Sequence, residues 1–450
     1  RPGANDRIRV AKIRARGNVS IAETPTPQND YTLSILLDDR GNGADWYEIA
    51  VLWGESQSEA WNKYELAGKP VTSPTISALS APESELQQLI DAARPGETIV
   101  IPKGVHTSPI DINKPLILKG ESRTDCVLEV TANRPAIFID TNGKGAVTVE
   151  DLTIKWQLAT SDRCQYPCAV ALKDGKTHVR NCCVLPLGNF KRCPVAIRST
   201  GFSELTIETC RFEGFEYTVC FGEGTKGSIR NSLVIDPGHQ GISLYSGSTA
   251  KIIGNVVTGS KYHAVRSTGG TLQMRDNLII NNANRGVYLG NKSAAGVIAN
   301  NVLIGNGTGI SGFAASKVRI ENNVIADSSY AGIGMRRSCS LLIRENIFRG
   351  NPRGLIVFKD GGRGANSLRR NTFWLNETDT EEIAKPANAI TADPAFTDPD
   401  NGDFSSKSGP ALEHKQGLTD PQIFKSLWNR WKNHADKNEP FAKTDRPHQS

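Results

Sequence analysis

No stretch of the chain approaches the roughly 18 consecutive apolar residues that a helix needs to cross a bilayer, so no transmembrane segment is expected. Methionine is scarce, with two residues and none at position 1. The first residue is therefore expected to be the end left after a signal peptide is removed or the chain is trimmed, which points to a secreted or periplasmic protein. Runs of Lys and Arg are missing, as is an aromatic-basic RNA motif. The net charge of +6 is modest for 450 residues, so nucleic acid is not expected as a partner. Paired C-x-x-C units, a His-Glu-x-x-His pair, an EF-hand loop and a Gly-x-Ser-x-Gly element are all absent, and neither a metal nor a cofactor is expected.

What is present is a folded composition, 38% hydrophobic and 22% charged. Glycine stands out at 42 residues, and asparagine is abundant beside it. Both tolerate positive φ, so the pair suits a chain with many tight turns. Nine cysteines fall mostly between 164 and 220. They are read either as buried free thiols or as one or two disulfides of an exported protein drawn from Cys164, Cys168 and Cys193. The odd total leaves at least one unpaired within the chain.

Internal periodicity decides the architecture. Asparagine before a short apolar run recurs at Asn181, Asn231, Asn255, Asn277, Asn301, Asn323, Asn346 and Asn371, with Cys210 where another is due. A second column runs through Gly241, Ala264, Gly286, Gly309, Gly332 and Gly354, each followed by an apolar residue. A third comprises Ile252, Met274, Ile298, Ile320 and Ile343. A period of 22 to 25 residues is too short for two packed helices. It fits three short strands joined by bends, stacked coil on coil about 4.8 Å apart. The fold class is all-β, a right-handed parallel β-helix with a capping helix and a small N-terminal β-rich appendage.

With these columns and the segments ESELQQLIDAARPGETIVIPKGVH (83–106) and ADPAFTDPDNGDFSSKSGPAL (392–412), the chain resembles the pectate-lyase-like superfamily of right-handed parallel β-helices. Within it, the likeness is to parallel β-helix repeat proteins that include alginate lyases, alginate C5-epimerases and copper-site accessory proteins. The resemblance implies that 83–106 forms the capping helix and first strand and that 392–412 forms the last turns. The expected boundaries are a β-rich region at 1–78, the solenoid at 79–412, and a helical or extended tail at 413–450 docked on the solenoid. Trp46, Tyr47, Trp53, Trp61 and Tyr64 in the first region are read as core packing or as a carbohydrate-binding surface.

Alternation along stacked strands places outward residues of successive coils in surface columns. On the strand at the glycine marker, Ile242 and Leu244 point inward, while Ser243, Tyr245, Arg266 and Tyr288 point outward. His239, Gln240, Tyr262, His263 and Arg285 are placed in the turn leading into that strand. The candidate catalytic residues are His239, His263, Arg266, Arg285, Tyr262 and Tyr288, converging within three coils. Tyr245, Gln240, Arg336, Lys359 and Arg198 are candidates for binding substrate. DPGHQ (236–240) resembles the Asp-Pro-His element of alginate C5-epimerases, with a glycine inserted and Gln240 in place of the following acid, so the resemblance reaches His239 alone.

This patch lacks the two carboxylates of a glycoside hydrolase. Arginine, histidine and tyrosine suit removal of the C5 proton of a uronate, whose carboxylate an arginine neutralises. The expected function is a polysaccharide lyase that cleaves an anionic polysaccharide by β-elimination and acts as a monomer. A C5-epimerase, a hydrolase using Asp236 and Glu223, and a non-catalytic binding protein are the alternatives.

Overall fold

A computed structural model of the chain describes residues 84–435 except 160–166, 189–193, 291–293, 314–315, 337, 360–363 and 365, together with the backbone of three N-terminal strands. Those strands, Val19–Pro25, Tyr31–Asp38 and Ala44–Val51, form an antiparallel sheet in chain order within a unit spanning Arg1–Glu83. Trp53, Trp61 and Tyr64, and the side chains of Trp46 and Tyr47, lie outside the described residues.

The second unit, Ser84–Ser450, is a right-handed parallel β-helix built of three sheets of twelve strands each. The first sheet runs from Thr98–Ile101 to Ser367–Arg369, the second from Gly104–His106 to Thr372–Trp374, and the third from Ile110–Ile112 to Thr378–Glu381. Inward residues of all three form one continuous core, and the column Ile252, Met274, Ile298, Ile320 and Ile343 is 0–1% exposed.

The open end of this core is closed by the helix Glu85–Ala92, whose first turn is capped by the Ser84 hydroxyl accepting from the Gln87 N–H at 3.2 Å. Leu86 and Ile90 are buried against the first coil. Gln87 does more than cover the end. Its Nε2 donates to the Asp111 carbonyl at 3.1 Å, and its Oε1 accepts from the Asp111 N–H at 2.7 Å. One side-chain amide thus replaces a neighbouring strand at the edge of the third sheet, where unpaired backbone would otherwise invite another chain.

Corners are held by asparagine. Asn255, Asn277, Asn301, Asn323, Asn346 and Asn371 form a buried ladder, each of the first five donating from Nδ2 to the Oδ1 of the next at 2.8–3.1 Å. In the earlier coils the ladder position belongs to Ser232, Cys210 and Cys182, not to Asn231 and Asn181. Asn231 and Asn181 stand one residue earlier at φ +50, where the bend needs a left-handed conformation. A second ladder, absent from the sequence reading, links Asn282 to Asn306 and Asn351 to Asn376 where the chain enters the third sheet. Cys126, Cys182, Cys183, Cys210 and Cys220 are free thiols, while Cys164 and Cys193 lie outside the described residues.

One strand of the first sheet breaks pattern at Gly296, whose φ is +133. A Cβ there would lie 1.8 Å from the Leu272 carbonyl oxygen of the preceding coil. Gly296→Ala is expected to cost about 3 kcal/mol, by conformational strain and by prising two coils apart. Denaturant midpoints of the two proteins check this, and an unchanged midpoint would mean that the strand relaxes freely.

The three outer faces differ. The first sheet alternates exposed polar or charged side chains with buried ones, as along Lys176–Arg180 and Thr271–Arg275, which is ordinary solvation. Strands of the second sheet such as Leu233–Ile235 and Leu278–Ile280 are buried on both faces, because the C-terminal segment covers them. Residues 392–412, expected to close the solenoid, contain instead an antiparallel hairpin, Phe396–Asp398 with Asp403–Ser406. Helix Gln422–Ala435 follows, and Phe404, Ala411, Phe424, Leu427 and Trp428 pack on Leu233, Val256, Leu278, Val302 and Ile347. The parallel coils end at Glu381. In the third sheet Gln240–Leu244 is buried throughout, and in the next two strands only Arg266, Arg285 and Tyr288 are partly exposed.

Candidate active site

Register fixes which side chains share the third face. Ser243, Arg266, Tyr288 and Ser311 are paired in successive coils, and three residues earlier so are Tyr217, Gln240, His263, Arg285 and Thr308. Gln240, His263 and Arg285 therefore begin the strand and do not belong to the turn before it. Strict alternation across three residues would turn them inward, but adjacent Ala264 and Val265 both lie in the core, so the alternation breaks at the start of the strand and the His263 ring meets Tyr288.

The rings form a continuous row. Tyr217 and His239 lie 5.1 Å apart between centroids, His239 and Tyr262 4.7 Å, Tyr262 and His263 4.0 Å, and His263 and Tyr288 4.6 Å with planes only 4° apart. Phe313 continues it 6.5 Å beyond Tyr288. Arg285 lies over the Tyr288 ring at 5.5 Å, and Arg266 over Tyr245 at 5.7 Å. All six candidate catalytic residues thus meet within three coils, a span of about 10 Å. Tyr217 and Phe313 escaped the sequence reading. Tyr217 stands in a coil whose strand, Tyr217–Phe221, lacks the glycine marker.

Depth separates the members. Tyr262 is 39% exposed, His239 is half-buried, and His263 is 2% exposed beneath its neighbours. Nδ1 of both histidines is buried and has no hydrogen-bond partner among the described residues, so proton traffic through either ring uses Nε2. Burial, then the positive charges of Arg285 and Arg266, pushes the His263 imidazole down to about 3. Burial also raises the phenols of Tyr217 and Tyr245, and it lifts the Cys220 thiol to about 12, so this cysteine stays neutral.

The His263 shift has a consequence for stability. An unfolded histidine takes a proton near 6.5, which the folded one refuses until about 3. Stability is therefore full above about pH 6.5 and falls as pH drops toward 3. His263→Gln should remove on the order of 2 kcal/mol of the loss seen between pH 7 and pH 4, after allowing for solvent screening. Urea unfolding of both proteins at the two pH values tests it, and parallel losses would contradict it.

The arginines are uncompensated. Among the described residues Arg198, Arg266, Arg285 and Arg336 make no ion pair, whereas Arg344, Arg353 and Arg370 each hold a glutamate. Of the binding candidates, Arg336 lies 3.7 Å over Phe313, two coils beyond Tyr288. Lys359 is exposed and paired with Glu382 at 2.9 Å. Gln240 is buried, its Oε1 accepting from the Ser243 hydroxyl at 2.6 Å, so it orders the face from below. Arg198 and Tyr245 line a pocket of about 380 Å³ at the C-terminal ends of the third sheet's strands.

Asp236 and Glu223 do not form a hydrolytic pair. Asp236 lies in the turn entering the third sheet, and Glu223 in the turn leaving it one coil earlier. A five-residue strand between them spans about 16 Å, beyond the roughly 5–9.5 Å separating paired glycosidase carboxylates.

Residues 135–310 match the family model described as right handed beta helix region, and residues 266–389 match that of the periplasmic copper-binding protein NosD. The donors for copper do not fit. Residues 266–389 contain no histidine, and their Cys339, Met274 and Met335 are buried in the core. Among the described residues no three His, Cys, Asp or Glu side chains gather as metal ligands do. Curated proteins provide no match. Similar solved structures include the periplasmic alginate epimerase AlgG, 16% identical over 68% of this chain and 81% of that one, with a TM-score of 0.46. Others are the PL6 family alginate lyase AlyGC (14%, 75% and 56%, TM-score 0.48) and the A-module of the Azotobacter vinelandii mannuronan C-5 epimerase AlgE4 (12%, 68% and 94%, TM-score 0.40). Likeness at this level is one of fold and assigns no residue a role.

Proposed function

We propose that the protein is an exported enzyme that binds an anionic, uronate-containing polysaccharide on the third sheet and cleaves it by β-elimination. The observation that carries this reading is the pairing of arginines that make no ion pair among the described residues with a row of histidine and tyrosine rings on one face of the solenoid. Arg266 and Arg285 bind the substrate carboxylate and neutralise it, which makes the neighbouring C5 proton removable. His239, half-buried and next to the exposed Tyr262, takes that proton at Nε2. The electron pair forms the C4–C5 double bond, the C4–O bond breaks, and the Tyr262 phenol gives its proton to the departing oxygen. His263 is a positioning residue, a neutral ring that holds Tyr262 and Tyr288 in place.

Elimination is favoured over epimerisation because the rings occupy one row. An epimerase must reprotonate C5 from the opposite face of the sugar, whereas an elimination in which proton and leaving oxygen share a face needs groups on one side only.

The test is incubation with alginate, pectate and other uronate polymers. Rising ultraviolet absorbance from a conjugated product is expected. New reducing ends without absorbance would indicate hydrolysis, and deuterium at C5 without cleavage would indicate epimerisation. No change across the panel would reduce the protein to a binder.

A further inference from the structure

We infer that the pocket beside Arg198 is a distal subsite for one uronate ring of the same polymer, an inference that rests on the function proposed above. Thr200, Gly222, Tyr245 and Thr268 succeed one another coil by coil just past the C-terminal ends of third-sheet strands, with Glu223 and Ser246 in the turns beyond them. Gly222 makes the floor: a Cβ there would lie 2.3 Å from the Ser199 carbonyl oxygen, so backbone alone lines that wall.

The pocket's polar equipment is unbalanced in a way that names its ligand. Arg198 has no ion pair among the described residues, and its Nε is buried without a hydrogen-bond partner. Leaving a buried cationic donor unmet is costly, and a planar carboxylate is the group that a guanidinium satisfies best. Thr200, Ser246, Thr268 and Glu223 offer what sugar hydroxyls need, namely acceptors and rotatable donors. The flat Tyr245 ring supplies a wall, and Phe202, 97% exposed, stands two residues past Thr200. A volume of about 380 Å³ sits at the small end of ligand pockets and suits one or two pyranose rings.

Position ties the pocket to the catalytic row. Arg198 and Arg266 occupy the same column three coils apart, about 14 Å. A 1→4-linked pyranose chain advances by roughly one strand spacing per ring. A chain running along the solenoid therefore places its reacting uronate at Arg266 and the third ring further on at Arg198. Tyr245, with Arg266 over its ring, is the wall between the two.

The experiment compares uronate trimers and hexamers on the full chain and on Arg198→Ala, with Glu223→Gln as the second variant and a thermal melt of each. The hexamer-to-trimer ratio of kcat/KM is expected to fall about tenfold in Arg198→Ala and severalfold in Glu223→Gln, since a trimer centred on Arg266 does not reach the pocket. An unchanged ratio overturns the subsite. If the wild-type chain turns over no uronate polymer, the proposed function falls, and the same ratio is then read in Kd by calorimetry. Hexamer binding that depends on Arg198 keeps the pocket as a uronate site, and binding that ignores Arg198 removes it.

Discussion

Arg266→Ala is expected to lower kcat/KM on a uronate polymer by about a thousandfold or more while leaving the fold unchanged. The size of the effect follows from what the guanidinium does. Without a cation on the carboxylate, the carbanion at C5 carries its charge unaided, and losing even one preorganised donor typically costs 10²- to 10³-fold. The fold should survive because Arg266 stands on the outer face of its strand, has no ion pair among the described residues, and touches Tyr245 only as a cation over a ring. Arg266→Lys should recover a minor part, since an ammonium restores charge but not the two parallel hydrogen bonds. Normal turnover by Arg266→Ala would move the carboxylate clamp elsewhere, with Arg285 the next to test.

The largest loss of stability is expected from Asn301→Ala. Asn301 donates from its N–H and its Nδ2 to Asn323 Oδ1 at 2.9 and 3.0 Å, and from Nδ2 to the carbonyls of Met274 and Ala299. Its own Oδ1 accepts from the N–H and Nδ2 of Asn277 at 3.0 and 2.8 Å. Alanine removes the side-chain partners of the Met274 and Ala299 carbonyls, of the Asn277 N–H and of one side of the Asn323 Oδ1, while the Asn277 Nδ2 keeps the carbonyls of Ile252 and Arg275. At about 1–3 kcal/mol per buried group left unmet, partly relieved by relaxation, a total near 4 kcal/mol follows. The chain contains its own milder version. At Ser232 a hydroxyl fills the same rung, donating to the Arg230 carbonyl and accepting from the Cys210 N–H. Asn301→Ser should therefore fall between wild type and alanine in denaturant midpoint. A loss below about 1 kcal/mol in Asn301→Ala would show that packing, not the ladder, holds the corner.

Much of this was legible as spacing. The core column from Ile252 to Ile343, the outward placement of Arg266 and Tyr288, and the substitution of Cys210 in the ladder all follow from a repeat near 23 residues and from alternation. The errors were single-residue slips with a common cause. Asn231 and Ser232 are adjacent and both suit a bend, so spacing alone does not say which faces inward; φ does. Likewise the strand begins at Gln240, His263 and Arg285, one residue before the glycine marker, because a backbone ladder extends as far as its neighbour's and is blind to side chains.

The number of strands per coil, the inward columns and the shared face of histidine, arginine and tyrosine are properties of the residue order, since stacking in register leaves such a period one way to wind. Depth and enclosure are not. His263 is covered only because Tyr262 and Tyr288 close over it from neighbouring positions, and Arg198 borders a pocket only because Gly222 and Thr268 come from other coils. The second sheet is closed off by residues 404–428, far along the chain from the strands that they bury. Solvent access at a point on a solenoid depends on volumes contributed by several windings and by distant segments at once, and that sum is formed in space, not along the chain.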